Sequence, residues 1–372
     1  MVDTIKLLIP IADPMVLSRG AFHPLTVEDL IRSWGVAKTH LNPSSTYAKL
    51  GKFMPRLTLY RRPTRTGVIV YQLAVEFSAP KIIYDTNFDE LTEDDFEAVL
   101  AALQSKLQEL VRYSFTRNQL AHADLAAFHP SKNIVFMDYT ACQTVLRTLN
   151  KLDVSQIYDF QKDRYRDGGH VLHIHSNSFE IAFYDKIKDL RKAKVSDKRG
   201  FENNNLVQLN LLEKLKEYRP MEVLRYEVRF NRRASIKRAF PDLDRWTFES
   251  LFKKQLCKDT LLKHWNKLSG SVDMLSLDVK QPFELLQNYL DDNQNMAPQA
   301  SLAAVAGMLI ANQVGFSDLR STLEAHFGKQ AWYRLKPLLK APNANRFSYF
   351  VHIDEALENF TPTRMSKLLN NI

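Results

Sequence analysis

A chain of 372 residues, 45% hydrophobic and 25% charged, is long enough for two cored domains at roughly 150 residues each and too apolar to be disordered overall. Two widely spaced cysteines, Cys142 and Cys257, exclude a zinc-finger or disulfide framework and fit a reducing compartment, and 11 glycines exclude a Gly-rich repeat. The net charge is +9, and residues 186–238 alone hold 16 Lys and Arg against 7 Asp and Glu, a concentration that suits a polyanionic partner through counterion release.

The N-terminus has no basic start followed by a long apolar core, and the longest apolar stretch, 302–311, is half the length that spans a bilayer. A soluble, cytoplasmic protein is expected, with no membrane partner.

Residues 5–10 predict a first strand. Residues 56–61 and 68–77 predict a hairpin closed by Thr64-Arg65-Thr66-Gly67, with Tyr71, Leu73, Val75 and Phe77 on one side and Gln72, Ala74 and Glu76 on the other. Residues 92–113 predict a helix. Thr92 is its N-cap, acidic residues fill the first turn, and the apolar stripe runs through Phe96, Val99, Leu100, Leu103, Leu107, Leu110 and Val111. A strand over 120–128 and a helix near 139–152 follow.

The segment 168–188 reads as two short strands about a Ser176-Asn177 turn. Pairing His175 with Ser178 puts Leu172, Ile174, Phe179, Ile181 and Phe183 on one face and His173, His175, Glu180, Ala182, Tyr184 and Lys186 on the other, with Gly169 opposite Tyr184. In a last strand, 221–231, Leu224, Tyr226, Val228 and Phe230 alternate with Arg225, Glu227, Arg229 and Asn231. The order predicts an α+β fold: an antiparallel sheet with helices on one face, over 1–239, then an all-helical domain over 240–372. An Asn/Gln-rich stretch at 287–299 divides the helical part. Three short helices near 301–311, 317–327 and 329–340 fit either a helix-turn-helix unit or a plain bundle, with origin binding or helicase contact as the expected role.

Carboxylates and imidazoles on one sheet face, here Glu76, His173, His175 and Glu227, provide oxygen and nitrogen ligands for a divalent cation. A tyrosine beside a metal-polarised phosphate, here Tyr184, can act as a nucleophile, and Lys186 can neutralise phosphate. The basic segment, with Lys188, Arg191, Lys192, Arg225 and Arg229, is expected to follow a DNA backbone. No G-x-x-x-x-G-K-[ST] loop or dinucleotide fingerprint occurs, so neither an NTP-driven motor of the usual kind nor a small-molecule cofactor is expected.

Several segments, in order, resemble replication initiators of the filamentous-phage gene II/gene X type and related plasmids. They are Val75-Glu76-Phe77-Ser78-Ala79-Pro80-Lys81, Asn87-Phe88-Asp89-Glu90-Leu91, His129-Pro130-Ser131-Lys132-Asn133-Ile134, Phe183-Tyr184-Asp185-Lys186 and Leu224-Arg225-Tyr226-Glu227-Val228-Arg229. The resemblance covers about residues 1–235 and extends to plasmid initiators that cut DNA with a tyrosine. Their apolar-Tyr-acid/Asn-Lys motif lands on Tyr184, and their Arg/apolar/Glu strand on Arg225 and Glu227.

The resemblance implies a rolling-circle initiator. It would nick one strand of origin DNA, hold the 5′ end on Tyr184, leave a 3′ hydroxyl for a host polymerase and depend on a separate host helicase. Mg²⁺ or Mn²⁺ held by Glu76, His129, His175 and Glu227 would assist. His129 stands where the plasmid relatives carry Asp, and His122 with Asp124 is the competing set on the other strand face. His173-Ile174-His175 also spells the paired-histidine motif of a larger class of strand-cutting enzymes. Two other functions compete: a non-catalytic sequence-specific DNA-binding protein, and a transposase or recombinase using the same tyrosine chemistry.

Overall fold

The computed structural model describes residues 1–364 apart from 20–23, 34, 42–51, 65, 153, 155–159, 167–168, 192–193, 197–199, 203–220, 271–281 and 340–346. In chain order the elements begin with β1 (Val2–Ile11), α1 (Pro24–Arg32), β2 (Lys38–Leu41), β3 (Arg56–Pro63), β4 (Ile69–Ser78), α2 (Ala79–Tyr84), α3 (Phe96–Val111), α4 (Arg117–Ala121) and β5 (Asp124–Phe136). Next come α5 (Cys142–Asn150), β6 (Phe160–Arg166), β7 (Val171–Ser176), β8 (Glu180–Asp185), α6 (Lys186–Arg191), β9 (Lys194–Ser196), β10 (Gly200–Glu202) and β11 (Glu222–Arg229). Helices α7 (Arg233–Ala239), α8 (Phe248–Leu251), α9 (Lys254–Ser269), α10 (Pro282–Asp292), α11 (Pro298–Val314), α12 (Phe316–Phe327), α13 (Lys329–Leu335) and α14 (Ser348–Asn359) complete the α+β fold.

Local chemistry explains the boundaries. At the β3–β4 turn, Gly67 takes φ +79°, a value that glycine adopts without steric cost, and its N–H bonds the Thr64 carbonyl. Thr92 and Asp95 form a reciprocal cap, so the chain enters α3 through a short 3₁₀ turn and the α-helix starts at Phe96. Leu120 was expected in a strand and lies instead in α4, because Thr116 and Gln119 form a second capping box that holds that turn helical. The following strand is correspondingly later and longer, and it runs through Pro130. A proline cannot donate to the ladder, and the β1–β5 register shifts where Val2 meets Pro130.

The chain divides into two compact units, and none of the four cuts between them falls at the expected single cut between 239 and 240. The first unit comprises 1–139, 178–261 and 360–372. Residues past 239 stay with it because Phe248 packs edge-on against Phe77 and Phe96, and the Tyr226 hydroxyl donates to the Leu261 carbonyl. The end of the chain stays because Lys132 Nζ donates to the Thr361 carbonyl and the Thr363 N–H donates to Glu90.

Seven strands of this unit lie in the order β2-β3-β4-β1-β5-β11-β8, each antiparallel to its neighbour. Their register sorts the side chains. Leu57, Leu59, Leu73, Val75, Ile5, Leu7, Leu125, Ile134, Leu224, Val228, Ile181 and Phe183 are buried on the face that carries the apolar core. Each such side chain contributes about 1.5–3 kcal/mol by leaving water. Phe183 stacks on Tyr226 with centroids 4.5 Å apart, tying β8 to β11 on that face.

The second unit comprises 140–177 and 262–359. It takes α5 because Lys151, just past that helix, donates through Nζ to the Asn312 carbonyl and accepts from the Phe316 N–H, while Thr148 meets the Tyr349 hydroxyl at 3.0 Å. Gly315 makes this approach possible: its φ is +102°, and a Cβ there would lie 3.2 Å from the Lys151 Cα. Pro298 opens α11 at its first turn. Strands β6 and β7 pair antiparallel, Arg164 opposite His173. Among the described residues no helix is long and apolar enough to cross a membrane.

Candidate active site on the polar face of the sheet

The sheet face opposite the apolar core is where the unusual chemistry lies. Alternation along β11 puts Arg225, Glu227 and Arg229 on it together, and the antiparallel register sets Arg225 beside Tyr184 and Glu227 beside Ala182 on β8. On β5, Ser131 and Asn133 pair with Glu227 and Arg225.

Glu227 is the hub. Its Oε1 accepts from the Tyr184 hydroxyl at 2.6 Å and from Arg225 Nε at 3.1 Å, and its Oε2 accepts from Arg229 Nε at 2.7 Å. Arg225 is satisfied in every direction. Its Nη1 donates to Asn133 Oδ1 and its Nη2 to Ser131 Oγ, each at 2.9 Å, and Asp3 Oδ2 lies 3.4 Å away. Asp3 in turn accepts from Ser78 Oγ at 2.6 Å, and Arg229 Nη1 donates to Glu180 at 2.9 Å. His129 faces the same region and shares a 2.8 Å hydrogen bond between Nε2 and Asn231 Oδ1.

Burial and these partners set the charges. Burial alone would raise the Glu227 carboxyl, but Arg229, Arg225 and the Tyr184 hydrogen bond hold it well below the usual carboxylate range. The Tyr184 phenol is raised well above its ordinary value, by burial first and then by the Glu227 charge. His129 is lowered by burial and by Arg229 and stays neutral. Lys186 was expected to share the strand face of Tyr184 but instead opens α6, whose first turn is capped by Asp185 Oδ1 accepting from the Lys188 N–H. It is fully buried, its Nζ has no hydrogen-bond partner among the described residues, and it lies 5.8 Å from the Tyr184 ring centroid. Arg229 Cζ is 6.0 Å from the same centroid.

Glu76 and Glu227, the two expected carboxylate ligands, are already engaged by cations, while His173 and His175 lie in a group of ligand atoms close enough together to hold a metal ion. Glu76 is bound by Arg56 at 2.6 Å and Lys6 at 3.4 Å, and Glu227 by two guanidiniums. Among the described residues no group of three or more ligand atoms within 4.8 Å includes Glu76, His129 or Glu227. His175 belongs to the second unit, on β7 beside His173, with ring centroids 5.8 Å apart. The competing set is also engaged: Asp124 pairs with Arg233 at 2.7 Å, and His122, at the end of α4, faces Glu249 at 3.6 Å.

The expected DNA contacts divide. Arg225 and Arg229 are committed internally, as above. Lys188 is exposed; Lys192 and the side chain of Arg191 lie outside the described residues. Exposed basic residues at α7, namely Arg232, Arg233, Lys237 and Arg238, add to the surface near the site's end of the sheet.

Sequence reasoning gave no role to Asp3, Ser131 or Asn133, which lock Arg225, or to Ser78, which donates to Asp3. The available signal was polar residues at alternate positions of otherwise apolar strands. Comparison of the chain with protein-family models, curated proteins and solved structures returned no match.

Proposed function

We propose that this chain is a DNA strand-nicking and strand-joining enzyme, a rolling-circle replication initiator of the gene II/gene X kind that its motifs resemble. The observation that carries the reading is the contact of the Tyr184 hydroxyl with a Glu227 carboxylate clamped between Arg225 and Arg229. This assembles a phenol nucleophile and fixed positive charge at one point, which is what transfer of a phosphodiester to a side chain requires.

In the reaction, the Tyr184 oxygen forms a bond to phosphorus, the bond from phosphorus to the 3′ oxygen breaks, and the phenol proton leaves. The 3′ oxygen departs as a hydroxyl, and the 5′ end stays on the protein as phosphotyrosine. Arg225 and Arg229 hold Glu227 in place and keep the developing charge on the phosphate near two guanidiniums. The steps above use side chains alone; the two expected carboxylate ligands, Glu76 and Glu227, are paired with lysine and arginine. The substrate is single-stranded origin DNA in a bacterial cytoplasm, the 3′ hydroxyl serves a host polymerase, and a host helicase opens the duplex.

The test is incubation with a pool of random-sequence single-stranded 40-mers, denaturing electrophoresis for covalent adducts, and peptide mapping. DNA is expected on the Tyr184 peptide, and Tyr184→Phe is expected to eliminate nicking and joining while lowering stability by about 1–2 kcal/mol for one lost buried hydrogen bond. An adduct on another tyrosine, or nicking by Tyr184→Phe, overturns the reading.

A further inference from the structure

Among the described residues, the polar side chains that bond around Tyr184 have partners, with one exception. Asp3, Glu227 and Glu180 are each bound by arginine, Asn133 and Ser131 are bound to Arg225, and His129 is bound to Asn231. The exception is the Lys186 amine, enclosed by protein and, among the described residues, without a hydrogen-bond partner. A buried ammonium with no counter-ion in contact is strongly disfavoured, so such an amine rests neutral. A neutral amine is a base.

We propose that Lys186 is the group that receives the Tyr184 proton when the phenol attacks phosphate, and that returns it to the departing 3′ oxygen. This deepens the nicking reading and rests on it. In the forward step the Tyr184 O–H bond breaks and its proton passes, directly or through one water, to the Lys186 nitrogen, which becomes an ammonium. The phenol oxygen bonds to phosphorus, the 3′ oxygen leaves with its electron pair, and the ammonium gives up the proton to it. Joining runs the same steps backwards.

The obvious rival is Glu227, which already accepts the hydrogen bond. Two guanidiniums make it too weak a base, and a carboxylate held that acidic carries a proton for too small a fraction of the time. The groups facing Lys186 are Arg225 and Lys81, which oppose protonation, Asp3 and Asp189, which favour it, and the Tyr184 ring. With burial as the largest cause, the balance lowers the amine to about 7, where a general base is most effective at neutral pH.

The experiment follows adduct formation against pH, using the random single-stranded 40-mer pool. For the wild type, the rate rises as pH approaches about 7 and is flat above, since the amine must be neutral. Lys186→Met, which keeps the bulk, lowers the rate about a hundredfold or more and abolishes the step near 7. Lys186→Ala is rescued by methylamine and ethylamine in proportion to their free-base concentration. A parallel titration of the lysine side-chain amines by NMR, without DNA, finds Lys186 uncharged at pH 8.

Unchanged pH dependence in Lys186→Met overturns the proposal. So does absence of amine rescue in a Lys186→Ala protein with wild-type melting and DNA binding, and so does a charged Lys186 at pH 8. Each leaves the nicking function standing. Absence of any Tyr184 adduct in the wild type overturns both.

Discussion

In the sheet unit the ionisable side chains of Asp3, Glu90, Lys132, Asp185, Lys186, Arg225 and Glu227 are all buried, whereas the buried polar side chains of the helical unit, among the described residues, are His264, Ser269 and Ser301. The surfaces differ in the opposite sense. The helical unit exposes Phe283, Leu290, Leu302, Ile310, Val314, Phe327, Tyr333 and Val351, and α11, with Leu302, Ile310 and Val314 along its outer side, carries no charge at all. Buried ion pairs are weak evidence of stability, because well-packed apolar residues of similar volume often do as well or better. Their concentration in the sheet unit is what the proposed chemistry would require. Among its described residues the helical unit buries no carboxylate, lysine or arginine.

The largest effect that separates the two interiors is expected from Glu227→Gln. An uncharged amide in that position leaves buried Arg225 with only Asp3 and half-buried Arg229 with only Glu180 as counter-ions, and breaking a buried pair in this way costs up to about 3–5 kcal/mol. From the sequence, the same substitution is expected to spare the fold, because Glu227 reads there as an exposed ligand. The structure makes it the counter-ion of two guanidiniums, so loss of nicking and loss of stability should appear together. Urea unfolding checks this. A change below about 1 kcal/mol would mean that the network is not held as described.

Acid separates the units by pH window. In the sheet unit, burial would raise Glu90, but Lys132, the amino terminus and Arg225 hold it at about 2. A lowered carboxyl stabilises fully above its unfolded value near 4.5 and loses that contribution as pH falls towards 2. In the helical unit, burial first, then Lys263 and Lys267, push His264 down to about 3. Its unfolded form binds a proton near 6.5. Stability from the neutral imidazole is therefore full above about 6.5 and is lost as pH falls from there to 3. Each contributes on the order of a few kcal/mol. Hydrogen exchange read by mass spectrometry is expected to show residues 262–270 and 282–339 loosening near pH 5, while 124–136 stays protected until below about 4. Simultaneous loosening would break the contrast.

How much of this was legible in the sequence follows from the range of the forces involved. Alternation over 71–77 and 222–229 and the stripe of α3 are local patterns, and each led to the observed element and face. The Arg225, Glu227 and Tyr184 side chains were assigned to one polar face for the same reason. What the sequence hid is pairing between distant segments. Nothing near Glu76 announces Arg56 and Lys6, nothing near Glu227 says that Arg229 will bind it rather than DNA, and Asp3 lies 222 positions from Arg225. Charge composition read along the chain counts such residues as surface, although several face inward. The interleaving of 140–177 with 262–359 was hidden likewise, since contacts such as those of Lys151 with Asn312 and Phe316 leave no local signature.

The smallest expected effect asks which unit meets DNA. The basic segment 186–238 cannot act as a whole: Lys186 and Arg225 are buried, and Arg229 is bound to Glu227 and Glu180. What it offers outward includes Lys188 and the exposed basic residues at α7. Lys263, on the outer side of α9 in the helical unit, is an exposed cation of the same kind and serves as the control. A phosphate contact releases about 0.7 counterions per charge on single-stranded DNA, so removing one lowers the slope of log K against log salt by about 0.7. Over a fourfold change in salt, that is roughly a 2.6-fold change in how much affinity is lost. Fluorescence anisotropy with a labelled single-stranded 40-mer, between about 50 and 200 mM NaCl, should find the slope reduced in Lys188→Gln and unchanged in Lys263→Gln. The reverse result would move the DNA to the helical unit. The polar face of the sheet would then hold the chemistry, while recognition would belong to the unit that buries no carboxylate, lysine or arginine among its described residues.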